Sequence, residues 1–97
     1  MGRNLNKKIL LNADPAKQFW TADGRAIKNL FGLSRAFEEM SNEVYTYHAN
    51  ENKNDFSSWV QDVFGERRLA KRLGESRTKE QGQVAVLKHL VSTLTKK

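Results

Sequence analysis

The amino-acid sequence predicts an all-α fold, a compact single domain of about five helices, two of them short. Apolar residues recur every three or four positions in several separate segments. No segment alternates apolar and polar residues as a half-buried strand does. With 97 residues and 38% hydrophobic content, the chain is long enough for one small core. Short polar connections favour helices that pack on their neighbours in sequence.

The N-terminal part of the chain is predicted to hold little regular structure. Residues 1–8 include Lys7 and Lys8 and are expected to form a flexible basic arm. The single helical domain is then expected to span residues 9–97. A turn is predicted at Pro15, which follows an aspartate.

The first helix is expected from about residue 24 to 40. Asp23 precedes it and is a candidate N-cap, because its carboxylate can accept a hydrogen bond from a first-turn amide. Ser41 is the predicted N-cap of a short second helix that ends near Asn50. The side chains expected to face inward from this second helix are Val44, Tyr45 and either Tyr47 or His48.

Two further helices are predicted between residues 54 and 74. Asn54 or Asp55 is expected to cap the first of them, which carries an apolar stripe at i, i+3, i+4 and i+7. Gly65 stands where a left-handed C-terminal residue belongs. Glu66 is expected to begin the next short helix, and Gly74 to end it by the same device.

The last helix is expected over about residues 79–95. Thr78 and Gln81 have the spacing of a capping box, in which each side chain bonds a backbone amide at the helix start. The residues predicted to face the core recur at i, i+3, i+7 and i+10 and are Val84, Leu87, Val91 and Leu94.

The predicted core collects the large apolar residues of all these segments. Its members are Phe19, Trp20, Ile27, Leu30, Phe31, Phe37, Met40, Val44, Phe56, Trp59, Val60, Val63, Leu69, Leu73, Leu87 and Val91. The predicted helix caps are Asp23, Ser41, Asn54, Asp55 and Thr78. The core residues are predicted from the helical period, and the caps from polar residues at the expected helix starts.

A polar cluster between two predicted helices is the first candidate site, formed by His48, Asn50, Asn52, Asn54 and Asp55. In a catalytic interpretation, His48 is a general base oriented by Asp55, with Asn50 as an oxyanion donor. In a metal interpretation, Asp62 joins His48 and Asp55 as a ligand. In a structural interpretation, the amides and carboxylate satisfy helix ends.

The structural interpretation is favoured because no nucleophile motif accompanies the cluster and ligand spacing is irregular. The chain has no cysteine, which excludes disulfides, thiol catalysis and thiolate metal sites. We therefore expect no enzyme, no cofactor and no bound metal.

A sequence pattern around the cluster resembles a known family. The pattern is H-x-N-x-x-K-N-D-F-x-x-W-V-x-D-V-x-G-x-x-x-L-A-x-x-L from residue 48, preceded by F-W-x-x-D-G-R-x-I-x-N-L and E-E-M-S. It is similar to an uncharacterised family of small helical domains in archaea and bacteria, over about residues 19–73. The resemblance implies a self-contained module, often an accessory one, and assigns no catalytic residue. It leaves the C-terminal helix and the lysine-containing arm as additions of this chain.

A run of basic residues is the second candidate site. Its members are Arg67, Arg68, Lys71, Arg72, Arg77 and Lys79. On a helix, residues 67 and 71 share a face, as do 68 and 72, which predicts a basic ridge able to contact phosphates. Lys7 and Lys8 of the arm could add phosphate contacts. The alternative is a solvated surface balanced by Glu66 and Glu75.

These observations predict a non-catalytic helical interaction module that docks onto a protein partner or onto itself. The alternative is a nucleic-acid-binding protein that uses the ridge, residues 67–79, and its basic termini. The net charge of +6 permits binding to nucleic acid or to an acidic protein. No apolar run approaches the roughly 20 residues of a membrane span, and no signal-peptide core is present. We therefore expect a cytoplasmic protein without membrane contact.

Overall fold

The computed structural model describes residues 11–95, and a β-hairpin precedes its helices. A single 3-10 turn covers Pro15–Lys17. Strand β1 (Phe19–Trp20) then pairs antiparallel with β2 (Ala26–Ile27), with Phe19 opposite Ile27. The turn between them needs a left-handed residue, and Gly24 supplies it with φ of 89°. The prediction of a purely all-α fold is therefore wrong in this segment.

Helix α1 (Leu30–Glu39) begins six residues later than predicted. Its N-cap is Asn29, whose side chain accepts a hydrogen bond from the Gly32 amide at 2.7 Å. Asp23 is not a cap, because it lies in the hairpin turn and accepts a hydrogen bond from the Thr21 hydroxyl. Strand pairing of residues 26 and 27 takes the backbone out of the helical path that their apolar spacing suggested.

Helix α2 (Asn42–His48) and helix α3 (Asp55–Trp59) follow, with the caps at Ser41 and Asn54. The Ser41 hydroxyl accepts from the Val44 amide at 3.1 Å, as predicted. The Asn54 side chain accepts from the Ser57 amide at 2.9 Å. Asp55 is therefore not the cap but the first helical residue, where the helix dipole favours its negative charge.

Helix α3 continues as a π-helical turn over Val60–Phe64 and ends at Gly65, which is left-handed with φ of 68° as predicted. Helix α4 then spans Arg67–Glu75. Gly74 does not end α4, because it keeps a helical backbone and the helix closes one residue later, before Ser76.

Helix α5 (Lys79–Thr95) has the predicted bounds. Thr78 caps it by accepting a hydrogen bond from the Gln81 amide at 3.1 Å. The Gln81 side chain reaches back one residue further than a capping box requires and accepts from the Arg77 amide at 2.7 Å.

The core lies where α1 packs along α5, with α3 and α4 closing its other side. The Phe56 ring stacks with the rings of Phe19 and Tyr45, whose centroids lie 4.9 and 5.9 Å from its own. The Phe37 ring meets Phe56 edge-on. Helices α1 and α5 approach each other closely at Gly82, where an added Cβ would lie 3.1 Å from the Phe37 ring. A glycine at this position therefore leaves room for the Phe37 ring beside the helix.

Most of the predicted core is buried, and two of its members, Val44 and Val63, are half-buried against it. Four members are wrong, since they are exposed: Trp20, Phe31, Leu87 and Val91. Trp20 points outward because Phe19, its neighbour on β1, points inward. Phe31 is one position past Leu30, which faces the core.

The last two errors have a common cause in the rotation of α5. The residues that α5 buries are Gly82, Ala85, Val86 and Leu90. This face carries smaller side chains than the predicted one, and small side chains permit the close approach to α1. Leu87 and Val91 therefore lie on the exposed side of α5.

Candidate interaction surface

His48 is the centre of the polar cluster, and both of its ring nitrogens are occupied. Its side chain is buried, with the residue only 5% exposed. The Ala22 amide donates to Nε2 at 2.9 Å, which places the ring proton on Nδ1. Nδ1 then donates to the Asp55 carboxylate at 3.0 Å. Nε2 therefore has no lone pair left to act as a general base.

The other members of the polar cluster also bond within the domain. The Asn50 side chain donates to the Thr46 carbonyl at 2.9 Å, closing the end of α2 rather than forming an oxyanion donor. Asn54 donates to the Leu73 carbonyl at 2.8 Å, which joins the start of α3 to α4. Within residues 11–95, no three histidine, aspartate or glutamate side chains converge as metal ligands. The cluster thus connects the hairpin, α2, α3 and α4.

Asp55 is the charged member of the cluster. Burial raises the pKa of the Asp55 carboxyl, but hydrogen bonds from Lys53 and His48 outweigh this effect and hold the pKa below its usual range. The Lys53 ammonium lies 2.9 Å from the same carboxylate oxygen that His48 contacts. This carboxylate therefore stays ionised and accepts both bonds at neutral pH.

The basic ridge is present on α4, although with fewer members than predicted. Leu69, Ala70 and Leu73 face the core, and the opposite face is exposed. The cations on this exposed face are Arg67, Arg68, Lys71 and Arg72. Among the described residues, none of the four forms an ion pair.

The remaining predicted basic residues lie elsewhere. Lys79 is half-buried and pairs with Glu80 at 3.3 Å. Arg77 follows the end of α4, close enough to Tyr45 to oppose part of the rise in the pKa of Tyr45 that burial causes. Glu66 forms no ion pair with the four ridge cations among the described residues; it contacts His89 of α5 at 2.9 Å. Lys7 and Lys8 lie outside the described residues.

An apolar stripe on the outer face of α5 is formed by side chains that were expected to face the core. It consists of Phe31 from α1 with Val84, Leu87, Val91 and Leu94 from α5, each between 41 and 61% exposed. A turn of 100° per residue places these four α5 residues on average about 145° around the helix from the buried face, with Leu94 nearest to its edge. A helix that is apolar on two opposite faces is typical of a helix buried on both sides. The presence of two apolar sets in one helix is the sequence signal that indicates such a surface.

A shallow groove between α1 and α5 borders the stripe. It is lined by Phe31 and Leu87 and flanked by Arg35, Glu38 and Gln83. Arg35 and Glu38 are both exposed, and neither pairs with another side chain among the described residues. The surface therefore combines an apolar centre with a rim of both charges, a composition found at protein interfaces.

Comparison with family models, with curated proteins and with solved structures finds no match for this chain. The resemblance of residues 19–73 to a family of small helical domains therefore remains a prediction. Among the helices of residues 11–95, none is both long and apolar enough to cross a bilayer.

Proposed function

We propose that this protein is a small helical interaction module that docks onto a protein partner through the apolar stripe. The observation that carries the proposal is the pair of apolar faces on α5, one buried in the core and one exposed. Large contiguous apolar patches on folded monomers commonly mark sites of interaction. The internal bonding of the polar cluster supports a structural role, not a binding role, for His48 and Asp55.

An affinity-capture experiment tests this function. The tagged chain is used as bait against an extract that also contains untagged copies of the chain, and a captured protein is identified and then purified for direct binding. Leu87→Lys with Val91→Lys should abolish the interaction, because two charges would have to be buried in an apolar interface. Leu11→Lys is the matched control, since Leu11 is also exposed and lines a pocket with Val63 and Phe64 rather than the groove at Leu87.

The interaction module is contradicted if the purified partner binds wild type and the double variant equally. It is also contradicted if neither a partner nor an untagged copy is captured. Both variants change exposed side chains only, so circular dichroism and the melting temperature should stay close to wild type.

Nucleic-acid binding by the basic ridge is a second candidate function, supported by the four exposed cations of α4, which form no ion pair within residues 11–95. Such binding should weaken steeply between about 50 and 200 mM salt, because phosphate contacts release counterions. Fluorescence anisotropy with short labelled DNA and RNA measures it. Arg68→Ala with Arg72→Ala should reduce the salt slope by about two, whereas Lys28→Ala with Lys88→Ala, off the ridge, should not. Absence of binding at the lower salt would reject this candidate.

A further inference from the structure

The apolar stripe has the spacing of a helix-pairing seam. Its α5 members, Val84, Leu87, Val91 and Leu94, are separated by three, four and three positions, as are the a and d positions of a heptad. Both a positions hold β-branched valine and both d positions hold leucine. In a parallel pair, this combination favours two strands over trimers and tetramers.

The stripe is also complementary to itself. When its order is reversed, Val84 lies opposite Leu94 and Leu87 opposite Val91, so a valine meets a leucine at every level. The rim carries an acid and a base, Glu38 and Arg35, on the same side of the groove. In a two-fold pair the same patch contributes from each copy, so a rim with both charges can pair with itself. A strongly acidic or basic partner would instead favour a rim of one sign.

We propose that two copies of this chain pair through their apolar stripes, with α5 of one copy packed against α5 of the other about a two-fold axis. This inference rests on the proposed function and specifies the partner as a second copy. The stripe from Val84 to Leu94 spans only about 15 Å of helix, less than a large obligate interface requires. The dimer is therefore concentration-dependent and dissociates on dilution.

Sedimentation equilibrium of the purified full chain tests the pairing over protein concentrations from about 10 µM to about 1 mM. The wild-type mass should rise from 11.1 kDa towards twice that value. Leu87→Lys with Val91→Lys should remain at 11.1 kDa while keeping the wild-type circular dichroism spectrum. Leu11→Lys should associate as wild type does.

Cross-linking provides a second measurement that does not depend on the lysine variants folding. The chain has no cysteine, so Val91→Cys introduces a single thiol. In a parallel pair this position meets its own copy, and oxidation gives a covalent dimer. In an antiparallel pair the covalent dimer appears instead when Val91→Cys is mixed with Leu87→Cys. Leu11→Cys measures the background from random collisions.

A wild-type chain that stays at 11.1 kDa throughout, or cross-linking no greater than that of Leu11→Cys, would overturn the pairing of two copies. Unchanged association of the double lysine variant would overturn it as well. If the chain is monomeric but captures a different protein through the stripe, only the pairing fails and the interaction module stands. If it is monomeric and captures nothing, both proposals fail.

Discussion

His48 illustrates how single polar residues hold this domain together. One ring nitrogen bonds the hairpin at Ala22 and the other bonds α3 at Asp55, while the ring packs edge-on against Phe19 and Phe56. A buried side chain with every polar atom satisfied contributes to stability, whereas loss of one partner leaves an unpaired buried group. The residue that looked most like a catalytic base is thus a junction between elements.

Trp59 provides the most direct test of the core at this scale. It is 8% exposed, packs edge-on against Phe19 and Phe64, and donates from Nε1 to the Lys17 carbonyl at 2.7 Å. Trp59→Ala should lower the free energy of unfolding by about 3–5 kcal/mol, because it removes a large buried side chain. Urea denaturation measures the loss.

The control for Trp59 is the same substitution at Trp20, which is 63% exposed. Trp20→Ala should change the free energy of unfolding by no more than about 0.5 kcal/mol. Equal losses at the two tryptophans would show that the assignment of Trp59 to the core and of Trp20 to the surface is wrong.

Asp55 should give the domain a measurable acid sensitivity. The folded-state pKa of Asp55 is below the unfolded value, so its carboxylate stabilises the fold above about pH 4, and this contribution is lost as pH falls through the folded pKa. Asp55→Asn should therefore be less stable than wild type at pH 7, and the difference should shrink below about pH 4. The side chain is 36% exposed, which limits the ion-pair contribution to about 1 kcal/mol.

Thermal or urea unfolding between about pH 2 and pH 7 measures the Asp55 effect. Glu51→Gln serves as the control, because Glu51 is exposed and forms no ion pair within residues 11–95. Its stability relative to wild type should be nearly independent of pH. A gap between Asp55→Asn and wild type that stays constant to the lowest pH would contradict the assigned role of the carboxylate.

At the scale of elements, the contact between α1 and α5 depends on one small residue. Gly82 lies under the Phe37 ring, and an added Cβ would stand 3.1 Å from two ring atoms. Gly74 lies inside α4, and a Cβ added there would meet only the Ser57 hydroxyl, at 3.6 Å. Both glycines have a helical backbone, so the same substitution isolates the effect of packing.

Gly74→Ala should raise the free energy of unfolding by up to about 1 kcal/mol, because alanine is the better helix former. Gly82→Ala gains the same propensity, but the buried Phe37 ring must move, at a cost of about 1–3 kcal/mol. We therefore expect the melting temperature to rise for the first variant and to fall for the second. A rise in both would mean that α1 and α5 are not closely packed at Gly82.

At the scale of the whole molecule, α5 is part of the core rather than an addition to it. Ala85, Val86 and Leu90 are buried against the other helices, and α1 makes its most extensive contact with α5. The resemblance over residues 19–73 had implied only that this helix is an addition of this chain relative to the family. A chain without α5 would expose the inner face of α1 to water.

Truncation tests this role of α5. A chain that ends at residue 77 should lose cooperative thermal unfolding and most of its helical circular dichroism signal. A core this small is not expected to stay folded without the helix that covers α1. The full-length double variant Leu87→Lys, Val91→Lys keeps the inner face of α5 and should remain folded. A truncated chain that melts cooperatively would show that residues 19–73 form an independent core.

Local chemistry in the sequence determined where most helices begin and end. Ser41, Asn54 and Thr78 bond amides three residues ahead, and Gly65 adopts the left-handed conformation that ends α3. These interactions involve only neighbours in the chain, so a short stretch of sequence contains all of the information. The basic face of α4 followed from helical periodicity in the same way.

Only the tertiary structure decided the hairpin and the orientation of α5. Residues 26 and 27 fit a helical period as well as a strand, and pairing with Phe19 made them a strand. Helix α5 has apolar residues on two faces, so periodicity cannot tell which one is inward. The choice depends on the space beside Phe37, where Gly82 fits and a larger residue does not. The stripe that we propose as a binding surface was therefore visible in the sequence, but its exposure was not.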